Sequence, residues 1–311
     1  MQRAMVQCNG VQTQVITEGR WIEEGLAPDG NKHVVVVIPG NPGVPEFYEG
    51  FIKTLNEKLP TETPVWVVGH AGHVQPAKDL AISMPRHSAW DKHYSLAAQV
   101  EHKKEFIKQY VPEDAKLHIV GHSIGAWLTL KLLEDEDISK RVVKCYMLFP
   151  TIEYMSATPN GWFFCNVVSR IATLLIFLCW ILSFFPILLQ EFLVRAFGLM
   201  YGIPGKYTKA VFQLLNPHVL KRVCRMAHEE MKYVKERDNE VISKHANKLW
   251  FYYGSTDGWA PVKYYQNMKT KHPNVEAELC KRGFYHSFVL KNEEPMGKIV
   301  GDLINENISK A

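Results

Sequence analysis

The sequence predicts an α/β fold in which about eight strands form a mostly parallel sheet, with helices on both faces and a helical, partly very apolar insertion after the sixth strand. Three observations carry that expectation. Short β-branched runs bounded by turn residues alternate with longer stretches of helical pattern. The alternation stops after CYMLFP and resumes near Asn247. The 311 residues are 47% hydrophobic and 22% charged, a globular composition that argues against disorder, collagen-like repeats and a polytopic membrane protein.

Taken in order, VQTQVIT (Val11 to Thr17) alternates apolar and polar residues as an antiparallel edge strand would. Buried strands follow at VVVVI (Val34 to Ile38), PVWVVGH, KLHIVGHS and CYMLFP, completing a first part of the core over residues 1–150. KLWFYYG and EAELC resume the pattern in a final part, residues 247–311, which Ser287 to Asn307 closes as a helix. Residues 151–246 lie between as an insertion over one edge of the sheet. The six cysteines (Cys8, Cys145, Cys165, Cys179, Cys224, Cys280) show no CxxC spacing and read as reduced thiols in a cytosol-facing protein. MQRAMVQCNGVQTQ has no apolar run suited to a signal peptide, so secretion is not expected. With 36 Lys and Arg against 32 Asp and Glu the net charge is only +4, and no nucleic-acid, phosphate-loop or metal-ligand signature accompanies it.

One motif carries chemistry. Gly121-His122-Ser123-Ile124-Gly125 follows an apolar strand and opens a helical pattern, AWLTLKLLEDE. That context is what a nucleophile elbow requires: the serine sits in a strained turn with its Oγ projecting, and the flanking glycines remove side chains that would clash. A serine needs a base to take its proton and a carboxylate to orient the base. In the chain order serine, acid, histidine, Asp257 falls just past the strand KLWFYYG, and His286 falls in the loop RGFYHSF between the last strand and the closing helix. Ester chemistry also needs donors for a developing oxyanion. The backbone N–H of Ile124 is one candidate. Asn41 in Pro39-Gly40-Asn41-Pro42-Gly43 is the other, since the prolines beside it have no N–H to give. His70 and His73 in GHAGH read as loop-packing residues. No cofactor is called for.

PGNPG, GHAGH, GHSIG, FPTIEYMS, TPNG and FYYGSTDGW followed by HSF together resemble the lipid droplet-associated hydrolase family of α/β-hydrolases, over a stretch from about Val34 to the closing helix. The resemblance implies a cytosol-facing serine hydrolase of lipid droplets and endoplasmic reticulum, with lipid esters, sterol esters in particular, as its substrate class. It places Ser123, Asp257 and His286 in the triad with no departure from the pattern.

Within the insertion, Ile171 to Leu189 is nineteen residues without a charge. As a straight helix it would be about 28 Å long, close to the hydrocarbon thickness of a bilayer. A single crossing there would put Asp257 and His286 across the membrane from Ser123, so a triad excludes a span. A leaflet-inserted segment presenting Ile171, Leu175, Leu178, Trp180, Leu182 and Phe185 to lipid, or a packed cap helix, both leave the enzyme whole, and Pro186 would kink or end either. Phe192 to His228 holds Arg195, Lys206, Lys209, Lys221, Arg222 and Arg225 with no Asp or Glu, a run suited to an anionic lipid surface. Trp162, Phe163 and Phe164 suit the headgroup level. The leading expectation is a serine esterase at a droplet monolayer or reticulum surface. An acyltransferase or thioesterase using the same acyl-enzyme, and a droplet-organising protein with vestigial activity, are the alternatives.

Overall fold

The computed structural model describes residues 1–27, 30–76, 83–202 and 204–310. Its strands are β1 (Gln2–Cys8), β2 (Val11–Glu18), β3 (His33–Ile38), β4 (Val65–Val68), β5 (Lys116–His122), β6 (Val142–Leu148), β7 (Leu249–Tyr253) and β8 (Glu276–Leu279). They form one sheet in the order β1-β2-β4-β3-β5-β6-β7-β8. From β4 to β8 every neighbouring pair is parallel, while β2 runs antiparallel to both β1 and β4.

The β-branched run of β3 explains why the sheet is covered twice. Successive side chains of a strand point to opposite faces. Val34, Val36 and Ile38 enter a core with Phe106, Leu117, Ile119 and Leu128, whereas Val35 and Val37 enter a second with Phe51, Ile52, Val300 and Ile304. Helices Leu96–Tyr110 and Ile124–Leu132 contribute to the first core, and Glu49–Asn56 and Glu293–Ser309 to the second. All six residues of β3 are buried. At about 1.5–3 kcal/mol for each large apolar side chain removed from water, this central strand pins the layers together.

Two expectations need correction. The strand at Val11 to Thr17 forms, but it is not the edge. Gln2–Cys8 pairs along its whole length, from Gln2 against Thr17 to Cys8 against Val11. The edge strand buries only Val6 and Cys8, too little apolar periodicity to stand out. The closing segment is two helices, Phe288–Lys291 and Glu293–Ser309, which break at Asn292.

Between β6 and β7 the described chain is helical. Pro159–Leu182 is a 24-residue helix whose most apolar 18-residue stretch has mean hydropathy 2.0, long and apolar enough by length and composition to cross a membrane. Pro186 then starts a second helix, Ile187–Tyr201, since proline supplies a helix-compatible φ but no N–H for the preceding one. Neither is packed as a core helix: of Ser169–Leu182 only Ala172 is buried. Ile171, Leu175, Leu178, Trp180 and Phe185 are exposed and Leu182 is half-buried. The helix rests against Pro217–Tyr233, which carries it on the core. Two surface expectations fail here. Phe164 turns inward onto His228, with ring centroids 5.2 Å apart, leaving Trp162 and Phe163 outside. Arg222 is buried with its guanidinium 4.4 Å from the Tyr94 ring, and Lys206 pairs with Glu293, so neither is free for a lipid surface.

Candidate active site

The turn after β5 places Ser123 at φ 55° and ψ −121°, a conformation that costs an L-residue on the order of 1–3 kcal/mol. The flanking glycines make the turn possible. A Cβ at Gly125 would lie 2.2 Å from the Ile38 carbonyl oxygen, and one at Gly121 would lie 2.7 Å from the Gly125 carbonyl oxygen. Helix Ile124–Leu132 starts at once, so the serine hydroxyl stands at the carboxyl ends of the strands beside a helix N-terminus.

The structure brings Ser123, His286 and Asp257 into one chain of contacts. His286 Nε2 is 2.8 Å from Ser123 Oγ, and His286 Nδ1 is 2.7 Å from Asp257 Oδ2. The other carboxylate oxygen accepts from the Trp259 N–H at 2.7 Å and the Ala260 N–H at 3.2 Å. Burial pulls the Asp257 carboxyl upward, but the charge and hydrogen bond of His286, with the two backbone donors, outweigh it and hold the group below the ordinary aspartate value. An ionised Asp257 fixes the proton on Nδ1, which leaves Nε2 free to accept from the serine.

Of the two expected oxyanion donors, Ile124 follows this serine in the chain and Asn41 lines the same cavity. Ile124 is the first residue of its helix, where an N–H has no intrahelical acceptor. Among the described residues the Asn41 N–H has no acceptor either, and the loop that carries it passes so close that a Cβ on Gly40 would lie 3.0 Å from Ser123 Cβ. A cavity of about 400 Å³ opens here, lined by Asn41, Ser123 and His286 and by the apolar Phe47, Val211, Leu214, Trp259, Val289 and Leu290. A larger one, about 670 Å³, is lined by Arg3, Glu49, Glu191, Arg195 and Lys206 and contains none of the three contacting groups. No cluster of His, Cys, Asp or Glu suited to a metal ion occurs among the described residues.

Several groups around the site left no sequence signal. Tyr48 Oη accepts from the Gly40 N–H at 2.7 Å and lies 2.6 Å from His122 Nδ1, while His122 Nε2 lies 2.9 Å from the His286 carbonyl oxygen. Because a carbonyl only accepts, Nε2 carries the His122 proton and Tyr48 must donate to Nδ1. Burial, with the neighbouring His286, pushes His122 down to about 3, which keeps the ring neutral as this chain demands. Under the same loop Gly43 donates to His73 Nδ1 at 2.9 Å, and a Cβ at Gly43 would lie 2.3 Å from the His70 ring. Both histidines are buried loop supports. Finally, Asn41 Nδ2 donates to Glu230 Oε1 at 2.8 Å and to the Val223 carbonyl at 3.1 Å. Burial lifts the Glu230 carboxyl to about 8 against the pull of the Asn41 hydrogen bond. Only a buried polar residue at long sequence distance could have signalled that contact.

A mostly parallel eight-stranded sheet carrying a serine at the elbow after β5 is the architecture of an α/β-hydrolase. Solved structures share it. A putative aryl esterase from Burkholderia cenocepacia superposes with a TM-score of 0.63 at 15% identity, covering 99% of this chain and 100% of its own. A serine hydrolase from Cycloclasticus zankles gives 0.62 at 14% identity, with 98% of each chain covered. The sequence model described as lipid-droplet associated hydrolase matches residues 31–289. Lipid droplet-associated hydrolase of Drosophila melanogaster is 40% identical over 99% of both chains, and that of Homo sapiens is 33% identical over 97% of this chain and 94% of its own. The chain belongs to the lipid droplet-associated hydrolase family.

Proposed function

We propose that the protein is a serine hydrolase that cleaves lipid esters, sterol esters among them, at the cytosolic face of a lipid droplet or the endoplasmic reticulum. The observation that carries the reading is the contact of Ser123 Oγ with His286 Nε2, at the floor of an apolar cavity. His286 takes the serine proton as Oγ attacks the ester carbonyl. The Ile124 and Asn41 N–H groups then donate to the oxyanion that forms. On collapse of the tetrahedral intermediate the C–O bond to the alcohol breaks, and His286 gives its proton to the departing oxygen. Water, deprotonated by the same histidine, attacks the acyl carbon; the bond from that carbon to Ser123 Oγ then breaks, His286 returns the proton to Oγ, and the acid leaves. Asp257 holds the imidazole tautomer throughout.

The insertion over residues 151–246 supplies the surface in this proposal. The exposed apolar side chains of Pro159–Leu182 and Ile187–Tyr201 enter one leaflet and do not cross it, so that the three contacting groups stay on one side. Arg195 and Lys209 are exposed nearby, where an anionic headgroup attracts each by on the order of 1 kcal/mol.

The test is labelling by a fluorophosphonate, with turnover of a short activated ester and of a lipid-ester panel. Wild-type protein should label at Ser123 and turn over, and Ser123→Ala should lose both, with hydrolysis down by several orders of magnitude. Wild-type turnover in that variant would remove Ser123 from the reaction.

A further inference from the structure

The Asn41 side chain is tied down far more firmly than a surface turn requires. Both hydrogen atoms of its amide are used, one on Glu230 Oε1 and one on the Val223 carbonyl, and both acceptors belong to the helix Pro217–Tyr233. Residues 223 and 230 are seven apart, two helical turns, so they present one face to the loop. Glu230 is 4% exposed, and nothing else on that face replaces the contact: the Asn41 Oδ1 is itself buried without a donor among the described residues.

We infer that Glu230 is a positioning residue for hydrolysis: with the Val223 carbonyl, it grips the Asn41 side chain and so fixes where the Asn41 N–H points. This rests on the reading of Ser123 as nucleophile and Asn41 as oxyanion donor. An oxyanion donor works only while it is held about 2.7–3.1 Å from the developing charge, so a loop free to swing loses rate and not affinity for substrate. The arrangement also makes the insertion part of the active site. His228, about 140° round the same helix from Val223, meets Phe164 of the apolar helix. One helix therefore touches the oxyanion loop on one face and carries the exposed apolar helix on another.

The experiment compares Glu230→Ala with Glu230→Gln on a soluble short ester, with kcat expressed per Ser123 titrated by fluorophosphonate. Glu230→Gln keeps an oxygen acceptor for Asn41 and should stay within about threefold of wild type. Glu230→Ala should lose roughly 10- to 100-fold in kcat with KM within about twofold, less than the 10²- to 10³-fold for a donor removed outright. Asn41→Asp is the second variant and serves if Glu230→Ala does not fold: it keeps the backbone N–H but removes both amide hydrogens, so that an acceptor faces the Val223 carbonyl and the two-point grip is lost, and the same kcat loss is expected. Wild-type kcat per titrated site in Glu230→Ala, or in Asn41→Asp, overturns the inference. Failure of wild-type Ser123 to label overturns the reading on which it rests, so the two failures are distinct.

Discussion

Tyr48 joins two loops that hold different parts of the site, and its hydroxyl is both acceptor and donor in doing so. Tyr48→Phe would leave the buried Gly40 N–H and His122 Nδ1 unpaired, at about 1–3 kcal/mol for each. We expect a melting point several degrees lower and reduced kcat; an unchanged melting curve would show that the chain from Gly40 to His286 does not stabilise the loops. Asp257→Asn should lower kcat by about four orders of magnitude through the wrong imidazole tautomer, as in established Ser-His-Asp triads, with little effect on melting. Turnover near the wild-type rate would dismiss Asp257 as the orienting acid. At this scale the sequence was readable where a residue type is forced by local geometry. The glycines at 121 and 125 are forced by backbone a few tenths of a nanometre away, and chain order singled out Asp257 and His286, which the structure brings into one line of contacts with Ser123. Tyr48, His122 and Glu230 were not, because their partners lie 8, 164 and 189 positions distant with no periodic pattern to mark them.

At the scale of elements, the helix Pro159–Leu182 tests whether surface binding and catalysis are separable. Leu175 is 38% exposed and Leu182 half-buried, so aspartates there meet water and not a core. In the double mutant Leu175→Asp, Leu182→Asp, each charge would cost about 2.5–3.5 kcal/mol at mid-membrane depth. Flotation with droplets should be lost, while soluble-ester turnover and melting stay near wild type. Undiminished flotation would count against leaflet insertion. The apolar run and its stop at Pro186 were legible because composition and proline act locally. The fate of the basic run was not. Arg222 and Phe164 turned inward because the partners that bury them, Tyr94 and His228, are set by helix packing and not by their own neighbours in sequence.

For the whole molecule, buried histidines dominate the response to acid. Burial pushes His73, His118 and His122 each down to about 3 from 6.5. The unfolded chain therefore binds protons at these sites below pH 6.5 while the folded chain does not, and stability is lost as pH falls through that window. Glu230 acts with the opposite sign, because its carboxyl, lifted to about 8, is protonated first in the folded state. These three protons against one give a net of two, a slope on the order of 2.7 kcal/mol per pH unit below pH 6.5, and His70, His87 and His102, also held low by burial, act in the same direction. Melting temperature should fall steeply over that range, and a flat profile would mean these rings reach solvent. The mostly parallel sheet was readable from its β-branched runs, because strands buried on both faces need them. The outermost strand was not, since half of its surface has nothing to bury.

The pairing of β6 with β7 sets Cys145 beside Leu249 across the entire insertion. Closing a loop of that length costs about 4 kcal/mol in chain entropy, which the pairing must offset. Asp257 and His286 both follow it in the chain. During synthesis the ribosome delivers Ser123, then the most apolar helix, and only afterwards Asp257 and His286. On the proposed mechanism a growing chain thus meets its surroundings with the greasy segment first and the chemistry switched off, and can cleave an ester only when its last strands are laid down.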